Sequence, residues 1–147
     1  MEIFIEKSRR RLTLRNENGT RLFSAPIALG SSPIGPKRQA GDGKTPEGRY
    51  FVCLKKQGKY GPALGVSYPN AADAETAGAD PELYRCIAER AAQGLRPPWG
   101  TTLGGEIYIH GGGTDRDWTA GCIALNDGDA QTLYGLVPLG TKILITP

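Results

Sequence analysis

Glycine and proline constrain this chain more than any other feature: together they make up 32 of its 147 residues. Glycine inside a helix costs backbone entropy, and proline removes a hydrogen-bond donor and breaks the helical ladder. Such usage excludes a helix bundle and favours many short elements joined by tight turns. With 39% hydrophobic and 22% charged residues the chain can still bury a core, which argues against disorder. Its length suits one domain over 1–147.

The hydrophobic pattern supports the same view. Ile3 and Ile5 alternate with charged neighbours in Glu2 to Glu6, as do Leu12 and Leu14 in Arg11 to Arg15, with a turn at Lys7-Ser8-Arg9-Arg10 between them. Asn16-Glu17-Asn18-Gly19 is a second turn signal, and Arg21 to Leu29 reads as the third strand of an antiparallel meander. Ser31 to Gly48 is a loop. Arg49 to Lys55, Ala63 to Tyr68, Glu106 to His110, Ala120 to Leu125 and Thr141 to Thr146 read as further strands. Two helices interrupt them. One is capped by Asp80, starts at Pro81 and runs to Gly94. The other starts at Asn126 or Asp127 and stops at Pro138. The expected class is therefore mainly β with two inserted helices, and not a doubly wound α/β fold.

Eighteen basic and 15 acidic residues leave a net charge of +3, too little to mark a nucleic-acid binder. No apolar run is long enough to span a membrane, and MEIFIEKSRRRL places charges where a signal peptide needs apolar residues. The three cysteines, Cys53, Cys86 and Cys122, are odd in number and none pairs as CxxC. With His110 as the one histidine, no metal site is expected.

Two familiar motifs fail on inspection. Gly43-Lys44-Thr45 imitates the end of a phosphate loop, but Arg38 stands where that loop needs glycine, and Pro46 disfavours the helix that should follow. His110-Gly-Gly-Gly113 imitates the oxyanion loop of esterases, but no GxSxG elbow exists to supply a nucleophile. His110 and Cys122 remain. His110 ends one predicted strand and Cys122 lies at the start of another, so if the two strands are neighbours they bring imidazole and thiol to one rim of a sheet. A free cysteine is mostly protonated near neutral pH, and a nearby imidazole can take its proton. Gly121 leaves room for a substrate carbonyl and offers successive N–H groups near Cys122 as an oxyanion hole. Cys53, in a strand, and Cys86, in a helix, read as packed thiols.

Ile109-His110-Gly111 followed by Thr119-Ala-Gly-Cys122-Ile-Ala-Leu-Asn126 resembles the signature of the L,D-transpeptidase (YkuD-like) family. Gly41-Asp-Gly-Lys-Thr-Pro-Glu-Gly-Arg-Tyr50 is similar to that family's loop-to-strand passage, and Gly140-Thr-Lys-Ile-Leu-Ile145 to its closing strand. The three blocks occur in family order. Two departures stand out: Ala120 replaces a histidine found in many members, and Ala124 replaces an arginine or asparagine.

The resemblance implies a mixed β-sandwich or barrel-like catalytic domain. Cys122 would be the nucleophile, His110 its base, and the Gly111 carbonyl the group that orients the imidazole. Asp115 and Asp117 stay open as alternative third members. Thr119, Tyr108, Trp118 and Arg116 would contact substrate. The partners implied are donor and acceptor peptidoglycan stem peptides, with a thioester intermediate, loss of D-alanine, and neither metal nor organic cofactor. No obligate protein partner is implied, and the site of action would be the bacterial cell envelope. Carbapenems would acylate the thiol. Hydrolysis of the same thioester (an L,D-carboxypeptidase) and a wall-binding module without turnover are the competing readings.

Overall fold

The strands β1 (Glu2–Glu6) and β2 (Arg11–Arg15) alternate so that Ile3, Ile5, Leu12 and Leu14 are fully buried while their neighbours face outward. That period-2 pattern requires one covered face and one wet face. The computed structural model describes residues 1–147. After β3 (Arg21–Pro26) come β4 (Gly48–Gly58) and β5 (Gly61–Val66), then helices α1 (Ala71–Thr76) and α2 (Pro81–Ala92). The chain ends with β6 (Tyr108–His110), β7 (Ile123–Ala124), α3 (Asp127–Leu136) and β8 (Lys142–Thr146). All eight strands form one mixed sheet in the order β3-β2-β1-β8-β4-β5-β6-β7. β1 pairs parallel with β8, and β6 parallel with β7. The sheet is curled into a half-barrel, and bridges from Ala28 to Ala124 and from Gly30 to Thr119 draw the segment after β3 against β7.

The inner face of this curl holds a core of 21 buried residues, including Ile109, Ile123 and Leu125 beside the β1–β2 aliphatics. At roughly 1.5–3 kcal/mol per buried large apolar side chain, this core dominates the favourable side of folding. The mainly β expectation holds, with three helices in place of two. The additional one, α1, is only six residues long and is started by a capping box in which Asn70 and Asp73 satisfy each other's backbone N–H. The opening meander, the Asp80 cap and the Pro81 start also match expectation.

Several strands are shorter than their apolar runs suggest, for backbone reasons. β3 ends at Pro26, which has no N–H to continue the ladder. β6 starts at Tyr108 because Glu106 sits at φ 55, outside the extended region. β7 starts after Gly121, whose φ of 139 turns the chain.

Glycines 30 and 121 mark the tightest approach in the molecule. A Cβ on Gly30 would lie 2.1 Å from the Gly43 carbonyl oxygen and 3.1 Å from the Gly121 Cα. Backbone cannot yield as a flexible side chain can. Gly30→Ala should therefore cost about 1–3 kcal/mol, lowering Tm by roughly 2–4 °C per kcal/mol, as calorimetry would read. An unchanged melting curve would show that the loop at Gly43 gives way freely.

Candidate active site

In the parallel pair β6–β7, Ile109 lies beside Ile123, and both point into the core. Tyr108, His110 and Cys122 therefore share the opposite face, with Cys122 next to Tyr108 in register. The imidazole at the end of β6 and the thiol directly before β7 are thus diagonal neighbours on one surface. Both strands have core residues beneath them, so the backbone that carries the pair is rigid.

His110 is 6% exposed although it lies on the outer face, because aromatic side chains cover it. The Tyr60 ring stacks on the imidazole at 4.7 Å between centroids and 15° between planes. Trp118 packs edge-on at 5.8 Å, and its Nε1–H donates to the Gly113 carbonyl at 3.0 Å. His110 Nδ1 lies 2.5 Å from the Gly111 carbonyl oxygen. An acceptor there requires a proton on Nδ1, which leaves the lone pair on Nε2. Burial pushes the imidazole below its ordinary 6.5, and the Gly111 bond opposes the shift only in part.

Cys122 is half-buried. Its Sγ accepts from the Tyr108 N–H at 3.3 Å and donates to the Glu106 carbonyl at 3.5 Å, and it makes no bond to the imidazole. Burial pushes the thiol above its ordinary 9.0, while the Tyr108 N–H and the charge of Lys37 pull the other way. Both shifts favour the uncharged forms of the imidazole and the thiol.

The backbone around the sulfur differs from expectation in one respect. The Thr119 hydroxyl donates to the Cys122 carbonyl at 2.7 Å and accepts from the Gly121 N–H at 3.1 Å. The Gly121 N–H is therefore engaged, and the two-donor oxyanion hole read from the sequence is reduced to one local donor. The Cys122 N–H makes no hydrogen bond within the protein. Thr119 itself is 5% exposed and acts as a brace for this turn.

Other expected residues fall on two sides of the pair. Cys122 lines a groove of about 480 Å³ together with Lys37, Glu106, Ile107 and Ala120. Trp118 and Arg116 line a separate cleft of about 320 Å³ with Tyr60 and Asp115. The Tyr108 ring leans on Trp99 at 5.6 Å and lies under Lys56 Nζ at 4.7 Å. Of the two candidate carboxylates, Asp117 is committed elsewhere. It takes the Arg10 guanidinium at 2.8 Å and the Leu29 N–H at 2.9 Å, tying the 111–121 loop to the first hairpin. Burial alone would raise its pKa, but Arg10 and the Leu29 N–H hold it below the ordinary value. Asp115 is exposed. The hydrogen-bond acceptor beside His110 Nδ1 is the Gly111 carbonyl.

Four residues that shape the site left little trace in the sequence. Tyr60 is at the β4–β5 turn, with no pattern linking it to residue 110. Asp127 accepts the Gly112 N–H at 2.9 Å and so holds the turn after His110, while Asn126, at the N-cap, makes no side-chain cap bond. Lys37, 3% exposed, pairs with Asp42 at 2.8 Å on the groove wall. Burial alone would raise Asp42, but Lys37 and the N–H groups of Arg38, Gln39 and Lys44 bring it down to about 2. Thr45, fully buried, accepts the Gly30 N–H and offers its carbonyl to the buried Lys7 ammonium at 2.7 Å. A Cβ on Gly121 would meet the Lys44 carbonyl at 2.7 Å. The Gly41–Tyr50 block thus backs the cysteine turn, a role beyond the simple turn read from its glycines and prolines. Cys53 and Cys86 are half-buried and unpaired, and burial pushes Cys53 up to about 11.

The domain is a curled mixed sheet whose outer face carries a cysteine and a histidine as diagonal neighbours in register. The chain belongs to the YkuD family of L,D-transpeptidase catalytic domains, whose family model matches residues 1–145. The helical cell shape determining protein Pgp2 of Campylobacter jejuni is 25% identical with a TM-score of 0.70, over 98% of this chain and 46% of that one. Bd1075 of Bdellovibrio bacteriovorus is 22% identical with a TM-score of 0.64, over 98% and 46%. An L,D-transpeptidase of Mycobacterium smegmatis is 15% identical with a TM-score of 0.59, over 99% and 58%, a likeness of fold alone. The chain spans about half the length of these structures. No curated protein sequence matches it.

Proposed function

We propose that this domain is an L,D-transpeptidase acting on peptidoglycan stem peptides through a thioester on Cys122. The observation that carries the reading is the His110 Nδ1 to Gly111 carbonyl bond of 2.5 Å. It commits the free lone pair to Nε2, the atom left to act as base. A χ1 rotation of Cys122 takes the thiol proton from the Glu106 carbonyl towards Nε2. Catalytic hydrogen bonds commonly tighten only once substrate is bound.

Sγ then attacks the carbonyl carbon of the third stem residue as its proton passes to Nε2. The carbonyl oxygen becomes an oxyanion facing the Cys122 N–H, an interaction worth about 3–4 kcal/mol in comparable sites. The C–N bond breaks, Nε2 returns the proton to the departing D-alanine amine, and a thioester remains. An acceptor amine attacks that thioester, its proton goes to Nε2, and the thiol is regenerated when the C–S bond breaks. Peptidoglycan as substrate implies action at the bacterial cell envelope. No helix of the domain is long and apolar enough to cross a membrane. The likeness to Pgp2 supports a part in cell shape.

Incubation with a stem tetrapeptide tests the reading. Cross-linked dimer is the expected product; tripeptide alone would mean that water resolves the thioester, as in an L,D-carboxypeptidase. Absence of both products would leave a domain without turnover.

A further inference from the structure

The outer face of β1, β2 and β3 has no part in the site, yet it carries the chain's excess positive charge. Arg11, Thr13 and Arg15 point outward from β2, because Leu12 and Leu14 between them are fully buried. In register, Ser24 lies opposite Thr13, and Arg21 lies opposite Arg15. On the far side of β2, Glu6 faces Arg11 and Glu2 faces Arg15, and Lys142 of β8 lies beside Glu2. The two carboxylates of this face are already taken, Glu6 by Arg9 at 3.5 Å and Glu2 by Arg49 at 3.9 Å. Arg11, Arg15, Arg21 and Lys142 have no carboxylate partner, an excess larger than the +3 of the whole chain.

Arg9, Arg11, Arg15 and Arg21 stand with a single carboxylate, Glu6, around a trough of about 640 Å³ that has no hydrophobic lining and the Thr13 and Ser24 side chains between them. Like charges directly opposite in a sheet are destabilising. The Arg15–Arg21 juxtaposition, set at a register shift between β2 and β3, returns nothing to the core beneath it, since Leu14 is buried whatever its outward neighbours are. Such a cost is intelligible if a ligand supplies the missing counter-charges. Arg11 and Arg15 are four residues apart on one strand, a span of roughly 13 Å. Charges spread over that length match a ligand with repeated anionic groups better than a single small anion. Guanidinium forks pair bidentately with carboxylates.

We propose that this arginine trough holds the peptidoglycan strand at stem-peptide carboxylates other than those of the peptide at Cys122. It tethers the domain to the polymer it modifies. The occupant rests on the proposed function; the charge pattern does not. Two weak contacts on one polymer raise the effective concentration of the second, so the trough governs binding to the polymer and leaves the chemistry at Cys122 alone.

Sedimentation of the full chain with insoluble sacculi tests the proposal, comparing wild type with the R11Q/R15Q/R21Q variant and reading melting temperature and turnover of soluble tetrapeptide alongside. The expected result is apparent affinity for sacculi about tenfold or more weaker in the variant, wild-type binding that falls with salt, unchanged tetrapeptide turnover and no loss of Tm. Sacculi stripped of phosphate polymers by hydrofluoric acid should bind wild type as well as untreated ones do. Equal binding by the variant would overturn the proposal. So would wild-type binding that disappears on stripping, which would assign the trough to phosphate, or a parallel fall in tetrapeptide turnover, which would place it in the active site. Arginine-dependent binding to stripped sacculi without any tetrapeptide turnover would support the trough while ending the transpeptidase reading.

Discussion

Cys122→Ala should abolish covalent acylation and lower tetrapeptide turnover at least about ten-thousand-fold, because nucleophiles of this kind act as a unit with their base and leave only residual rate when removed. Intact mass after incubation with a carbapenem is the direct readout: one adduct on wild type, mapped to Cys122, and none on the variant. Neither of the other thiols can substitute. Cys53 is pushed up to about 11 by burial and so stays protonated, and Cys86 lies on α2, away from His110 on β6. The variant should fold, since the sulfur is half-buried and its only bonds are one accepted from Tyr108 and one donated to Glu106. Turnover that survives in Cys122→Ala, or an adduct that moves to Cys53 or Cys86, would sink the assignment.

Loss of His110 should cost about 100- to 10,000-fold in kcat/KM, the usual range for a positioned general base. The pH dependence separates this role from a structural one. The active form is the neutral imidazole, and burial holds its pKa below 6.5. In wild type the rate should therefore stay level as pH falls from 7 through 6.5 and decline only below that value. In His110→Ala the thiol has lost its base and can react only as free thiolate. Its pKa is raised above 9.0, so the residual rate should climb with pH through the alkaline range. A variant with the same profile as wild type would exclude His110 as the base. Its covering by Tyr60 and Trp118 explains why the imidazole is so well shielded from water.

The fold was largely legible because its main signals are local. Alternation at Ile3, Ile5, Leu12 and Leu14 marks the β1–β2 hairpin, and Asp80-Pro81 marks a helix start, since each depends on neighbours within a few residues. The strand ends were less legible. Glu106 at φ 55 and Gly121 at φ 139 interrupt apolar runs that read as continuous, and a side-chain pattern carries no record of backbone torsion. The short helix α1 was missed because its six residues, AADAET, have no periodic apolar face long enough to stand out.

For the site, residue types narrowed the candidates to one histidine and one cysteine followed by an apolar run, and the resemblance to a family signature joined the two. Which backbone groups stay free for the reaction could be settled only by folding. Thr119 captures the Gly121 N–H that the sequence reading had reserved for an oxyanion, Asp117 turns to Arg10, and Gly111 alone supplies the acceptor for His110. Tyr60, 50 residues before His110, reaches the imidazole because the β4–β5 hairpin beside β6 carries its turn there. Hydrogen bonds and ring contacts saturate whichever partners the packed chain brings within about 3–5 Å. Residue order restricts those partners but does not select them; three-dimensional proximity does.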